Sequence, residues 1–286
     1  MTRDTRHTAT FPEQAEARRT FRRFIRFTRD WGLTFFVLGL LVYAAVTGAA
    51  SSGYNWQWDR VLPYFWECSA ETCRPGVILR EGLVGTLRIS GMALCISLCA
   101  GSMVAMIGPM GGGLTRTVCF CYIQLVRNTP LVVQLVAVYA LMPPSWGLSA
   151  EGTAVLVLGL FEGAYMAEIF RAGIAAVPKG QWEAARSLGL PDHICRLRII
   201  LPQALRHSLP PLVSQCVSLI KDSALVGVIA VTELSQRSGL VVSETFLSFE
   251  TWLPTAGIYL ILALGLSALA ALLHKRLSRG IAAPCG

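Results

Sequence analysis

The chain has 286 residues, of which 53% are hydrophobic and 15% charged, with a net charge of +8. Soluble domains carry nearer a quarter of charged residues, so this composition points to the membrane. The positive excess has no aromatic-interleaved basic face that would support nucleic-acid binding; it fits Arg-rich loops on the inner side of a bilayer.

Residues 1–30 form a polar tail with eight Arg before Trp31. A signal peptide has a short charged region and an apolar region ending at a small-residue cleavage site, so this stretch reads instead as a cytoplasmic tail. Its Arg residues fit plain topogenic charge; alternatively Arg22, Arg26 and Arg29, which can share one helical face, lie on the inner membrane surface, where anionic headgroups would attract them. A helix needs about 20 apolar residues to cross the hydrocarbon. Six stretches qualify: Trp31–Ala50, Leu83–Gly108, Val118–Met142, Thr153–Ala176, Ser208–Ala230 and Trp252–Leu273. Lys and Arg gather in the tail, at Arg116, between Lys179 and Arg206, and at Lys275, Arg276 and Arg279, all on one side if there are six spans. The connections 51–82, 143–152 and 232–251 then lie outside, and both termini are cytoplasmic. The expected fold is an all-α membrane protein with six transmembrane helices. It divides into a tail (1–30), a first helix with its outer loop (31–80), the main transmembrane domain (81–276) and a short cytoplasmic end (277–286).

Charges within spans are costly and face a cavity or a partner. Arg127 and Glu162 each lie nine residues into their spans, near the midplane, and Lys221 and Asp222 fall in the same zone. Two cations and two anions suit a zwitterionic substrate; the alternative is that they pair with one another and hold helices together. Tyr165 and Met166, three and four residues beyond Glu162, are expected to share its face and line the same pathway. Glu168 has Arg171 three residues on and reads as structural. Cys68 and Cys73 lie in the first outer loop, on the oxidising side, and are either bridged or two free thiols. No HExxH, G-x-S-x-G or GxxxxGK[ST] pattern occurs, so no metal site, hydrolytic centre or phosphate loop is expected.

The segment QWEAARSLGLPDHICRLRIILPQALR, Gln181–Arg206, interrupts this oily chain. Its first part is made of helix formers, Gly189 turns the chain, and Pro191-Asp192 suits a second helix start. Ile194, Leu197 and Leu201 recur near helical spacing, and Pro202 is expected to end or kink the helix. By periodicity it is equally an amphipathic connector at the membrane surface.

The residue order adds a resemblance. Glu183-Ala184-Ala185, then Gly189, Ile199 and Leu201-Pro202 resemble at every defining position the EAA loop of ABC-importer permeases. Arg127-Asn128-Thr129-Pro130 resembles the RGTP segment of the polar amino acid permeases, with Asn128 where Gly is usual. Ala164–Ile174 and Lys221–Leu225 are similar to two further stretches of that family, and the similarity runs from about Glu81 to the C-terminal tail. Glu162 departs from it, since that position is commonly small or amide-bearing. The resemblance implies a permease subunit of an ATP-driven uptake system for polar amino acids. It implies pairing with a second permease subunit, cytoplasmic ATPase subunits that bind the ATP, and an extracytoplasmic binding protein. The EAA loop would then be the coupling helix that sits in a groove of the ATPase. The competing classes are a secondary transporter and a channel, neither coupled to an ATPase.

Overall fold

The structure is a computed structural model. It describes residues 53–279 apart from Ala70, Pro144 and Trp146, together with scattered positions between Phe36 and Ser51; side chains are described as far as Leu272, except Met110. The chain forms two compact units, residues 1–56 and 57–286. In the first, the described positions from Phe36 to Ser51 are helical, and Phe36, Leu40 and Tyr43 are exposed. The Arg-rich tail and the residues after Arg279 lie outside the described residues.

The second unit opens with a short helix, α1 (Trp58–Phe65), and a hairpin of β1 (Trp66–Cys68) and β2 (Cys73–Pro75). The strands pair antiparallel with Cys68 opposite Cys73, and a disulfide joins the two. The stretch read from sequence as an outer loop is therefore ordered. Val61 and Phe65 of α1 bury with Ile78 against Leu234, Val241 and Leu247, more than 150 residues away in the chain.

A π-turn, Ile78–Leu83, leads into α2 (Val84–Met110). Next come α3 (Gly113–Arg127), α4 (Leu131–Leu141) and α5 (Ala150–Ala175), the last capped by the Ser149 hydroxyl, which accepts from the Gly152 N–H at 3.1 Å. After α6 (Lys179–Ser187), one helical turn and a second π-turn (Cys195–Ile200) feed α7 (Leu201–Asp222), which tightens into a 3₁₀ segment, Ser223–Ile229. The chain ends in α8 (Leu234–Thr245) and α9 (Ser248–Arg279). Among the described residues, four helical runs are long and apolar enough to cross a membrane: Ile78–Pro109, Ala150–Ala175, Asp192–Ile229 and Ser248–Leu272. The bent pair α3 and α4 makes a fifth. The expected first span, Trp31–Ala50, falls largely outside the described residues.

Two expectations are corrected and a third is narrowed. The third span is not one straight helix: α3 and α4 meet at 108°. Pro130 supplies no N–H and turns the preceding residue away from helical geometry. The freed carbonyls are satisfied locally, because the Gln134 amide donates to Val126 O at 2.8 Å and Thr129 O at 3.1 Å. Pro202 does not end its helix. The helical run continues through it from Asp192 to Ile229, and of the two outcomes expected, an end or a kink, only a local distortion is present: a π-turn directly before it, with the Leu201 N–H reaching back to Arg196 O. Finally, much of the expected 232–251 loop is the helix α8. The buried Glu233 caps it, accepting from the Ser235 and Gln236 N–H groups, and the Thr86 hydroxyl accepts from the Leu234 N–H at 3.0 Å.

The main core lies between α2, α4, α5, α7 and the 3₁₀ segment, around Ile89, Leu135, Leu158, Leu219 and Val226. Small residues let α2 and α5 approach closely, as membrane helices do where apolar burial alone gives no drive. A Cβ on Gly101 would lie 2.7 Å from the Met166 Cβ and 3.0 Å from Gly163 O.

Candidate functional site

Two places concentrate the residues singled out in the sequence. The first is the helix–turn–helix at the Arg-rich end. Alpha-helix α6 stops at Ser187, and Gly189 takes φ +70°, the left-handed geometry in which a side chain is strained. The Leu190 N–H then reaches back to Ala185 O at 3.3 Å and the Gly189 N–H to Arg186 O at 2.9 Å, which closes the helix end. Ala185 and Ile200 are buried with Val177, Cys195 and Ala204 in a separate small core, with Trp182 and Ile199 against it. This core fastens the segment to the end of α5 and the start of α7. Leu201 is half-buried and Pro202 exposed. The outer face is different: Glu183, Ala184 and Gly189 are exposed, and so is Leu188, at 77%. The Glu183 carboxylate has no hydrogen-bond or ion-pair partner among the described residues; only its backbone carbonyl is used, accepting from the Ser187 hydroxyl at 3.0 Å. The segment is thus anchored on one side and carries an unpartnered acid and an exposed leucine on the other. Leu188 was not picked out from sequence, although an apolar residue between Ser187 and Gly189 on a polar helix end was the available sign.

The second place is in the middle of the spans. Glu162 on α5 has no solvent exposure. Its Oε2 accepts a short hydrogen bond from the Gln215 amide of α7, its Oε1 has no partner among the described residues, and Asp222 comes within electrostatic reach of it. Gln215 was not singled out from sequence; a lone amide in an apolar run six residues before Lys221 was its sign. Tyr165 and Met166 do not continue one lining with Glu162. Met166 is fully buried beneath Gly101 of α2, so it belongs to helix packing. Tyr165 turns the other way, its ring 4.9 Å from the Arg127 guanidinium.

Arg127 is the last residue of α3, at the bend rather than within a straight span, and it reaches Glu168 at 3.5 Å. Glu168 also pairs with Arg171 at 2.7 Å, so this trio ties the bend to α5. The Tyr122 hydroxyl, another residue unremarked in the sequence, ties α3 to the middle of α5 by donating to Leu160 O at 2.6 Å. Lys221 and Asp222 diverge. Asp222 is half-buried on the Glu162 side, while Lys221 is exposed and lines a separate cavity. The four charges therefore do not close into one mutually paired set.

At the hairpin end, Glu233 accepts from the Tyr259 hydroxyl at 2.7 Å, and Tyr259 and the Ser235 hydroxyl lie 3.0 Å apart. Glu233 and Ser235 lie between the runs Asp192–Ile229 and Ser248–Leu272, and Tyr259 reaches them from within the second. Burial raises the Glu233 carboxyl above the usual carboxylate range, against the downward pull of the Tyr259 hydroxyl and the Ser235 and Gln236 N–H groups. Arg237 forms an ion pair with Glu81, which locks α8 onto the start of the α2 span. No group of three or more His, Cys, Asp or Glu suited to holding a metal occurs among the described residues.

A bundle of apolar helical runs with one broken pair and an anchored helix–turn–helix that leaves Glu183 and Leu188 exposed defines an all-α membrane protein with a free surface at its Arg-rich end. The chain belongs to the family of binding-protein-dependent transport system inner membrane components, whose model matches residues 97–279. It is similar to the glutamine transport system permease protein GlnP of Escherichia coli (strain K12), with 34% identity over 203 residues, 70% of this chain and 93% of that one. It is also similar to the L-cystine transport system permease protein TcyB of Bacillus subtilis (strain 168), with 33% identity over 227 residues, 79% of this chain and 93% of that one. Among solved structures, an amino acid ABC transporter crystallised with histidines matches at a TM-score of 0.69 and 31% identity, over 78% of this chain and the whole of that one. The chain is a permease component of an ABC importer. It is not the ATP-hydrolysing part, and its family implies ATPase and binding-protein partners.

Proposed function

We propose that this chain is the membrane-spanning permease subunit of an ATP-driven importer for polar amino acids, working as a pair with a second permease subunit, the same or homologous. A binding protein outside the membrane delivers the substrate, and both termini and the EAA segment face the cytoplasm. The observation that carries the reading is the anchored helix–turn–helix. Its inner side is held by Ala185, Ile199 and Ile200, its turn depends on Gly189, and its free side presents Glu183 and Leu188 to a partner. A rigid block fixed between α5 and α7 is what the motion of a soluble motor needs in order to move the spans. The substrate pathway runs past Arg127, Tyr165, Glu162, Lys221 and Asp222, with Met166 supporting it from the helix interface.

The test is co-expression with an ABC ATPase and a binding protein from the same organism. Co-purification of the ATPase and ATP-dependent uptake of radiolabelled L-glutamine, L-histidine or L-cystine into vesicles are expected. Uptake that runs without the ATPase would favour a secondary transporter or channel and sink the proposal.

A further inference from the structure

The two halves of α7 are fastened differently. In the first half, Ala204 is buried in the small core of the helix–turn–helix with Ala185, Cys195 and Ile200. This half also meets α5 without room to spare: a Cβ on Gly173 would lie 2.7 Å from Ala204 O and would clash with the Ser208 hydroxyl. In the second half, Leu219 belongs to the main core and the Gln215 amide holds Glu162 of α5. Pro210 and Pro211 stand between the halves. Neither has an N–H, so the Arg206 and His207 carbonyls lose the donors that an unbroken helix supplies.

Beside the first half, on the α2 side, the helices do not pack fully. A cavity of about 170 Å³ is lined there by Ser102, Ala105 and Met106 of α2, Phe170 of α5, and Leu205 and Ser208 of α7. Both hydroxyls are already used by their own helices: Ser102 donates to Cys99 O at 3.1 Å and Ser208 to Ala204 O at 2.9 Å. No side-chain polar group in the lining needs a water, so the space forgoes packing contacts without gaining hydrogen bonds.

We infer, on the permease reading above, that α7 is jointed at Pro210-Pro211 and that this cavity is the room into which its first half, with the attached helix–turn–helix, moves during transport. Bending there breaks no backbone hydrogen bond that the prolines have not already removed. Packing sets the direction: the Gly173 contact blocks movement straight toward α5, whereas Ala105 leaves space on the α2 side. Gln215 and Leu219 keep the second half in place, so a motion that starts at the helix–turn–helix changes the angle within α7 before it reaches Glu162.

The test uses the complete transporter, with its ATPase and binding protein, in proteoliposomes. Ala105→Leu fills the cavity, and Pro210→Ala together with Pro211→Ala restores both backbone hydrogen bonds. Closing the helices onto the added side chain costs about 1–3 kcal/mol, which lowers the population of the moved state about 5- to 150-fold. The double alanine variant must break two hydrogen bonds of about 0.5–1.5 kcal/mol each in order to bend, a loss in the same range. Both variants should import amino acid at least about fivefold more slowly at equal abundance, while they co-purify with the ATPase and melt no lower than wild type. Ala105→Ser leaves the space open and should import like wild type. Wild-type import by Ala105→Leu overturns the role of the cavity, wild-type import by the double alanine variant overturns the joint, and either sinks the inference. So does an Ala105→Leu complex that melts lower or sheds its ATPase, because the side chain then had no free space to fill, or an Ala105→Ser complex as slow as Ala105→Leu. All these results leave the functional reading standing; no amino acid uptake by the wild-type system overturns that reading and the inference with it.

Discussion

Replacing Gly189 by Val isolates the backbone of the coupling turn. No heavy atom lies within 4 Å of where a Cβ would be placed, and the position is exposed, so the added β-carbon meets no neighbour and no contact is removed. Its main cost comes from φ +70°, where a β-branched residue is strained by about 2 kcal/mol. That makes the native turn about 30-fold less favourable relative to alternatives. Asn tolerates left-handed geometry, so Gly189→Asn should be mild and Gly189→Ala intermediate. The small core of Ala185, Cys195 and Ile200 is untouched, so all three proteins should insert and accumulate normally. The assay is ATP hydrolysed per substrate imported in proteoliposomes containing the full complex. Uptake should fall in the order Gly, Asn, Ala, Val while hydrolysis persists. If Val imports as well per ATP as Gly at equal abundance, the turn is not what transmits the motion.

Other outcomes follow from the same structure. Glu162→Gln should leave ATPase docking intact but weaken uptake of cationic amino acids relative to neutral ones; an unchanged profile across basic, neutral and acidic amino acids would remove Glu162 from the pathway. Gly101→Val should lower thermal stability in detergent by about 2 kcal/mol or more, because its Cβ would press on the Met166 side chain and the Gly163 backbone; a melting temperature equal to wild type would contradict the close α2–α5 approach. Alkylation without reductant should leave Cys68 and Cys73 unmodified in the mass spectrum, and two added alkyl groups in that hairpin would show free thiols. Because the folded pKa of Glu233 is raised, its neutral form favours the folded state: that contribution is complete below about pH 4 and is lost as pH rises through the raised value. Glu233→Gln should flatten this part of the stability–pH curve, measured by thermal unfolding, and an unaltered curve would count against it.

Much of this protein is written locally in its chain. Apolar runs long enough to span a bilayer are a one-dimensional property, and so α2, α5, α7 and α9 are legible as spans. The left-handed turn at Gly189 is likewise local, since glycine is the residue that adopts it at low cost. The break at Asn128-Thr129-Pro130 was present in the sequence too, but its apolar flanks read as one span. Pro130 breaks the helix there, and the Gln134 side chain, four residues on, satisfies the Val126 carbonyl that the 108° bend exposes. Tertiary structure alone decided the rest. Whether Glu162 meets water or protein depends on Gln215, 53 residues away, and whether Met166 faces a cavity depends on where Gly101 of another helix sits. The order of α1 and the hairpin depends on burial against Leu234 and Leu247. Helical periodicity sets the angle between neighbouring side chains but not which neighbour each angle meets, because that is fixed only when distant helices pack.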